Sequence, residues 1–184
     1  FNCSNVGSNT VTLSVLDVFG NNSTCTANVT VEDNVAPNAV CQNITVQLNA
    51  AGNASITGND VDNGSNDACG ISSLSVSPNS FNCSDVGPNT VTLTATDNNS
   101  NSSTCTATVN VEDNVAPNAL CNDLTVQLGA NGTGTINAGL VNNGSNDACG
   151  IASVTLTGGN YTCSDIGQTT ETLTVTDVNG NVSS

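Results

Sequence analysis

The chain has no lysine, arginine or histidine, so its 15 aspartates and glutamates lack any side-chain counter-charge and the formal net charge is -15. That absence excludes the basic surface with which proteins hold nucleic acid, and it makes an anionic membrane surface unfavourable unless a divalent cation mediates. It also removes the usual base for a serine or cysteine nucleophile. An Asp/Glu pair of glycosidase type would have to recur in every repeat without an aromatic sugar platform, since aromatics make up only 2% of the chain. An enzyme is therefore not expected. No apolar run is long enough to span a bilayer, so direct membrane insertion is not expected. Initiator methionine and signal peptide are both lacking, which places targeting information elsewhere in a longer parent.

What the chain does have is a period. Residues 1–104 match residues 81–184 at 60 of 104 positions without a gap, and Val31 to Ala39 return letter for letter at Val111 to Ala119. The natural unit of 80 residues runs from one Val-Glu-Asp-Asn-Val-Ala-Pro segment to the next. It divides the chain into the C-terminal part of a module (1–33), a complete module (34–113) and most of a further one (114–184). A module of this size buries a modest core, which makes covalent or metal staples expected.

Apolar and polar residues alternate in Val91-Thr92-Leu93-Thr94-Ala95-Thr96, in Ala107 to Val111 and in Ile44 to Leu48, the period of half-buried strands. Turn clusters such as Asn63-Gly64-Ser65-Asn66-Asp67 separate them. No segment shows a 3.6-residue apolar period, so helix content should be close to nil. One module reads as strands 40–49 and 53–58, a long loop 59–70, strands 71–77, 80–84 and 90–96, a turn 97–102 and a strand 103–112. This spacing predicts an all-β fold of tandem immunoglobulin-like antiparallel β-sandwiches. Successive reversals place the loop 59–70, the turn 97–102 and the linker 32–38 at one end of the module.

Pro37 with Cys41-Gln42-Asn43-Ile44-Thr45-Val46, then Phe81, Gly87, Thr96-Asp97 and Cys105 to Val111 resembles the hyalin repeat. The likeness covers every module and is nearest to the repeats of very long surface proteins of Bacteroidetes-type bacteria. It implies adhesin stalks exported to the cell surface. Ser100 stands where the family's Asp-x-x-Gly-Asn turn has glycine, whereas Gly20 and Gly180 keep it.

Nine cysteines fall into four repeat classes: Cys41 and Cys121; Cys69 and Cys149; Cys3, Cys83 and Cys163; Cys25 and Cys105. None has the close spacing of a zinc site, and no histidine could complete one. Four per module point to disulfides and an extracellular, oxidising setting. Four cysteines allow three connectivities. First and last strands lying side by side favour Cys41 with Cys105, and the resemblance implies the same pair, because the family's two-cysteine form keeps these positions. Cys69 with Cys83 and Cys149 with Cys163 then follow by elimination, and Cys3, Cys25 and Cys121 are expected to pair with cysteines one module period away, outside this sequence.

Four acidic classes recur: Glu32 and Glu112; Asp33 and Asp113; Asp67 and Asp147; Asp17, Asp97 and Asp177. The topology above gathers Glu32, Asp33, Asp67 and Asp97 at one junction and Glu112, Asp113, Asp147 and Asp177 at the next. Two carboxylates about 5 Å apart repel by roughly 3 kcal/mol at an effective dielectric of about 20, and no lysine or arginine can relieve them. Hard oxygen ligands suit Ca²⁺, the expected cofactor. Glu32 to Pro37 also resembles the calcium linker of cadherins. The alternative is that Asp97 and Asp177 merely form Asx turns and that Glu32 and Asp33 are a solvated strand end. Asp60, Asp62, Asp123 and Glu171 do not recur and read as solvated charge. Asn-x-Ser/Thr triplets such as those at Asn28, Asn43, Asn82 and Asn160 carry little weight in so Asn-rich a chain.

These readings predict a structural region of an extracellular adhesin stalk or filament, stiffened by calcium at module junctions and by disulfides. Its partners are the neighbouring modules of the same chain. The absence of lysine and arginine removes every trypsin-type cleavage site, which suits an exposed fibre. The alternatives are a self-assembling filament or sheath, whose partners are other copies of the chain, and a calcium-dependent module binding glycan or another protein.

Overall fold

A computed structural model describes residues 1–184. In chain order it contains β1 (Gly7–Leu16), β2 (Asn22–Val31), β3 (Ile44–Gln47), β4 (Asn53–Ser55), α1 (Gly58–Val61), β5 (Ile71–Ser77), β6 (Ser80–Asn82), β7 (Gly87–Asp97) and β8 (Ser102–Glu112). There follow β9 (Thr133–Thr135), α2 (Ala138–Val141), β10 (Ile151–Leu156), β11 (Asn160–Thr162), β12 (Leu173–Asp177) and β13 (Val182–Ser183). The fold is mostly β, in several sheets. Strands β1 and β2 form a hairpin, β3-β8-β7-β5 a four-stranded sheet, β10-β12-β13 a three-stranded one, and β4-β6 and β9-β11 are two-stranded. Strand β5 pairs antiparallel with β7 from Ile71↔Asp97 to Ser77↔Thr92, and β10 with β12 from Ile151↔Asp177 to Leu156↔Leu173, with a bulge at the same place in each. The pairing thus recurs at the 80-residue offset. No helix is long and apolar enough to cross a membrane.

Two compact units are formed, one by Phe1–Ile44, Ile56–Pro78 and Thr90–Thr108, the other by Thr45–Ser55, Asn79–Asn89 and Val109–Ser184. In the first, period-two alternation puts Val91, Leu93 and Ala95 wholly inside with Val61, while Ile56 and Ala107 complete the core. In the second, Val141, Leu173 and Val175 pack against Ile136, Ala138, Ile151, Val154 and Leu156, and Leu48, Phe81, Val109 and Val111 are buried as well. Burial of a valine or leucine side chain stabilises by about 1.5–3 kcal/mol, so each unit rests on a handful of such residues.

Several expectations need correction. Helix is present, as α1, α2 and 3₁₀ turns at Cys3–Asn5, Cys83–Asp85 and Cys163–Asp165. They are too short to write a 3.6-residue period and are set by local capping. Asp60 accepts from the Thr57 amide at 2.6 Å and its hydroxyl at 2.8 Å, and Asn137 accepts from the Leu140 amide. The strand expected at 40–49 is confined to β3, since Cys41 makes an isolated bridge to Asp62 and Asn38 one to Asn66. The strand expected at 80–84 ends at Asn82, whose side chain accepts from the Ser84 amide and opens the 3₁₀ turn. Asp62 is likewise a turn former, accepting from the Gly64 and Ser65 amides. Burial pushes its carboxyl up, but these donors and the Ser65 hydroxyl outweigh that and hold it low, while Thr57 does the same for Asp60.

Residues 124–127 repeat β3 in sequence yet form no strand. The Leu48 amide, just after β3, donates to the Glu112 carbonyl at the end of β8, whereas residues 124–127 pair with no strand. A strand without its ladder partner has no place for its backbone hydrogen bonds. In the β1–β2 hairpin Leu13 is 61% exposed, at the position where Leu93 in β7 is 0% exposed.

Candidate metal centre

Each candidate centre begins with an Asp-x-Val segment that leaves the last long strand. After β2, Asp33 turns its Oδ1 onto the Val35 amide at 3.1 Å, and after β8 Asp113 does the same with Val115 at 3.1 Å. Their second carboxylate oxygens are buried with no hydrogen-bond partner. Asp113 as a whole is only 6% exposed. A buried, unpartnered carboxylate oxygen is costly, by several kcal/mol if the charge stays uncompensated.

The second ligand arrives from the loop before β5 or β10. Asp67 accepts from the Cys69 amide at 2.7 Å and Asp147 from the Cys149 amide at 2.7 Å, closing Asx turns that aim the loop at the strand end. Oxygens of Asp33 and Asp67 and the Cys69 sulfur all lie within 4.8 Å of one another, as do those of Asp113, Asp147 and Cys149. Both cysteines are disulfide-bonded, so neither offers the thiolate a soft metal needs. What remains are hard oxygen donors, which fit Ca²⁺.

Asp97 and Asp177 are not among these groups. Asp97 is 2% exposed, but its Oδ1 accepts from the Asn99 and Asn101 amides at 2.8 Å each and its Oδ2 from Asn101 Nδ2 at 2.8 Å. Asp177 repeats this set with Asn179 and Asn181. Burial pushes the Asp97 carboxyl up, yet the donors from Asn101, Asn99 and Ser100 outweigh it and leave it below the ordinary carboxylate value. These residues support the site without joining it. The Asn101 amide that donates to Asp97 also donates to the Asp33 carbonyl at 3.0 Å, and Asn181 holds the Asp113 carbonyl likewise. Glu32 is exposed and takes the Asn34 amide at 3.2 Å, whereas Glu112 takes Gln47 at 2.7 Å and Asn110 at 2.9 Å. Neither lies in the acidic group. The expected convergence of four carboxylates therefore reduces to two in each group.

Of the expected disulfides, Cys41–Cys105 is formed, with Cα atoms 5.9 Å apart. The pairs Cys69 with Cys83 and Cys149 with Cys163 are not. Instead Cys3 joins Cys69 and Cys83 joins Cys149, each across 66 residues, leaving Cys25, Cys121 and Cys163 free and exposed. The physical reason is length: the seven residues of β5 carry the chain about 20 Å away from Cys69, and the three of β6 cannot bring it back. The bridges thus link a cysteine of one sequence repeat to the next repeat. Gly52 makes room for one of them. With φ +72, its Cβ would stand 2.6 Å from the Cys83 sulfur, and Gly132, at φ +75, recurs beside Cys163. Three disulfides in one chain fit an oxidising compartment.

No protein-family model matches the chain, and no curated protein is significantly similar to it.

Proposed function

We propose that this chain is a repeat region of an extracellular adhesin stalk or filament, built of hyalin-like, immunoglobulin-like modules at 1–33, 34–113 and 114–184. A calcium ion at each junction, held by Asp33 with Asp67 and by Asp113 with Asp147, fixes one module on the next. The observation that carries this reading is the unpartnered, buried second oxygen of Asp33 and Asp113, recurring at the sequence period beside a second carboxylate. Burial of an anion with no cation in the whole sequence calls for a counter-charge from solution. Two carboxylates with carbonyls and water make a modest site, with a Kd of about 0.1–1 mM, matched to extracellular calcium.

The reading is tested by small-angle scattering and thermal unfolding of the oxidised chain in millimolar Ca²⁺ and then in EGTA. Chelation should lower the melting temperature by several degrees and shorten the particle. Unchanged melting and dimensions would remove calcium from the account.

A further inference from the structure

We propose that the junction disulfides form a covalent relay that carries tension past most of each repeat, so that the chain stays short under load even when its modules unfold. This extends the stalk reading, but it rests on disulfide connectivity and not on the cation. Cys3 is bonded to Cys69 and Cys83 to Cys149, with Cα atoms only 5.2 and 5.1 Å apart. A pull applied to residue 3 crosses to residue 69, follows 14 residues of chain through β5 and β6 to residue 83, and crosses again to residue 149. Residue 149 stands 146 positions after residue 3, so nine-tenths of that backbone is bypassed.

The third bridge is outside this path. Reaching residue 149 through Cys41–Cys105 takes 38 residues before the bridge and 44 after it, so that route is slack whenever the relay is taut. Cys41–Cys105 therefore staples the fold, while the other two limit extension. Cys163 stands where Cys3 and Cys83 stand, so each further repeat adds about 50 Å of load-bearing chain in place of about 290 Å, taking about 3.6 Å per extended residue. For a fibre loaded by flow, most of each repeat is then shielded from tension, and the fibre lengthens only by the short load-bearing segment.

Single-molecule stretching of the full chain between its two ends tests the relay, with free Cys25, Cys121 and Cys163 alkylated. Oxidised protein should reach no more than about 200 Å fully extended, and protein reduced with a phosphine about 650 Å. Cys83→Ser should lengthen the oxidised limit to about 400 Å, whereas Cys41→Ser with Cys105→Ser should leave it near 200 Å. An oxidised limit close to the reduced one, or no lengthening in Cys83→Ser, would overturn the proposal. The limit is covalent, so it survives unfolding of a variant once its bridges have formed. EGTA should change unfolding forces and not the limit, which separates failure of the calcium reading from failure of the relay.

Discussion

Ser100 is the only non-glycine residue with positive φ, at 74°, in the turn where Gly20 and Gly180 hold 88° and 92°. A left-handed non-glycine costs about 1–2 kcal/mol, and glycine returns part of that in unfolded-state entropy. Ser100→Gly should therefore stabilise by roughly 0.5–1 kcal/mol and raise the melting temperature by a few degrees in calorimetry. Asp97 supplies a pH signature. Its folded carboxyl lies below the ordinary value, so its contribution to stability is present above the ordinary carboxylate range and is lost as pH falls through the lowered folded value. Asp97→Asn should flatten the fall in melting temperature below about pH 4. An unchanged acid limb would show that the turn donors do not hold the charge. Recurrence made the acidic classes legible, yet it did not say which would meet. The discriminating signal was the asparagine four residues on, at Asn21, Asn101 and Asn181. A carboxylate that accepts three hydrogen bonds from its own turn, as Asp97 does, has little capacity left for a cation.

At the scale of elements, alternation located the long strands, because burial of one face is a period-two property that the residues carry themselves, whereas the strands expected at 40–49, 53–58 and 80–84 are shorter than expected. Strand β5 falls on its expected bounds, and β7 and β8 depart from theirs by three residues at most. Ends set by capping side chains were not legible, and neither were the pairs Cys3–Cys69 and Cys83–Cys149, which depend on how far a strand carries its terminus. The burial argument has a direct check in two leucines of one repeat class. Leu93→Ala should cost about 2–5 kcal/mol and Leu13→Ala within about 0.5 kcal/mol, in chemical unfolding, since the first is wholly buried and the second 61% exposed. Equal losses would mean that the hairpin is covered in solution. The bridge from Cys83 to Cys149 closes a 66-residue separation, worth about 4 kcal/mol in the chain-entropy model. Cys83→Ser should then lower the melting temperature by roughly 10 °C, more than one lost surface contact could.

The whole molecule is a polyanion, and on the function proposed above its stability depends on what its environment supplies: an oxidant for the bridges and a cation for the carboxylates. With a net charge of -15 and no basic residue, monovalent salt only screens it, whereas a divalent ion at the proposed sites, Asp33 with Asp67 and Asp113 with Asp147, would compensate charge where it is buried. Stabilisation by such an ion follows mass action, about 1.4 kcal/mol per site at tenfold the Kd. The decisive measurement is isothermal calorimetry of Ca²⁺ binding to the oxidised full chain, beside the Asp67→Asn, Asp147→Asn double variant. Two sites saturating by about 10 mM, both lost in the double variant while its disulfides remain intact, are the predicted result. No binding heat by direct titration, together with a melting temperature indifferent to calcium, would contradict the account.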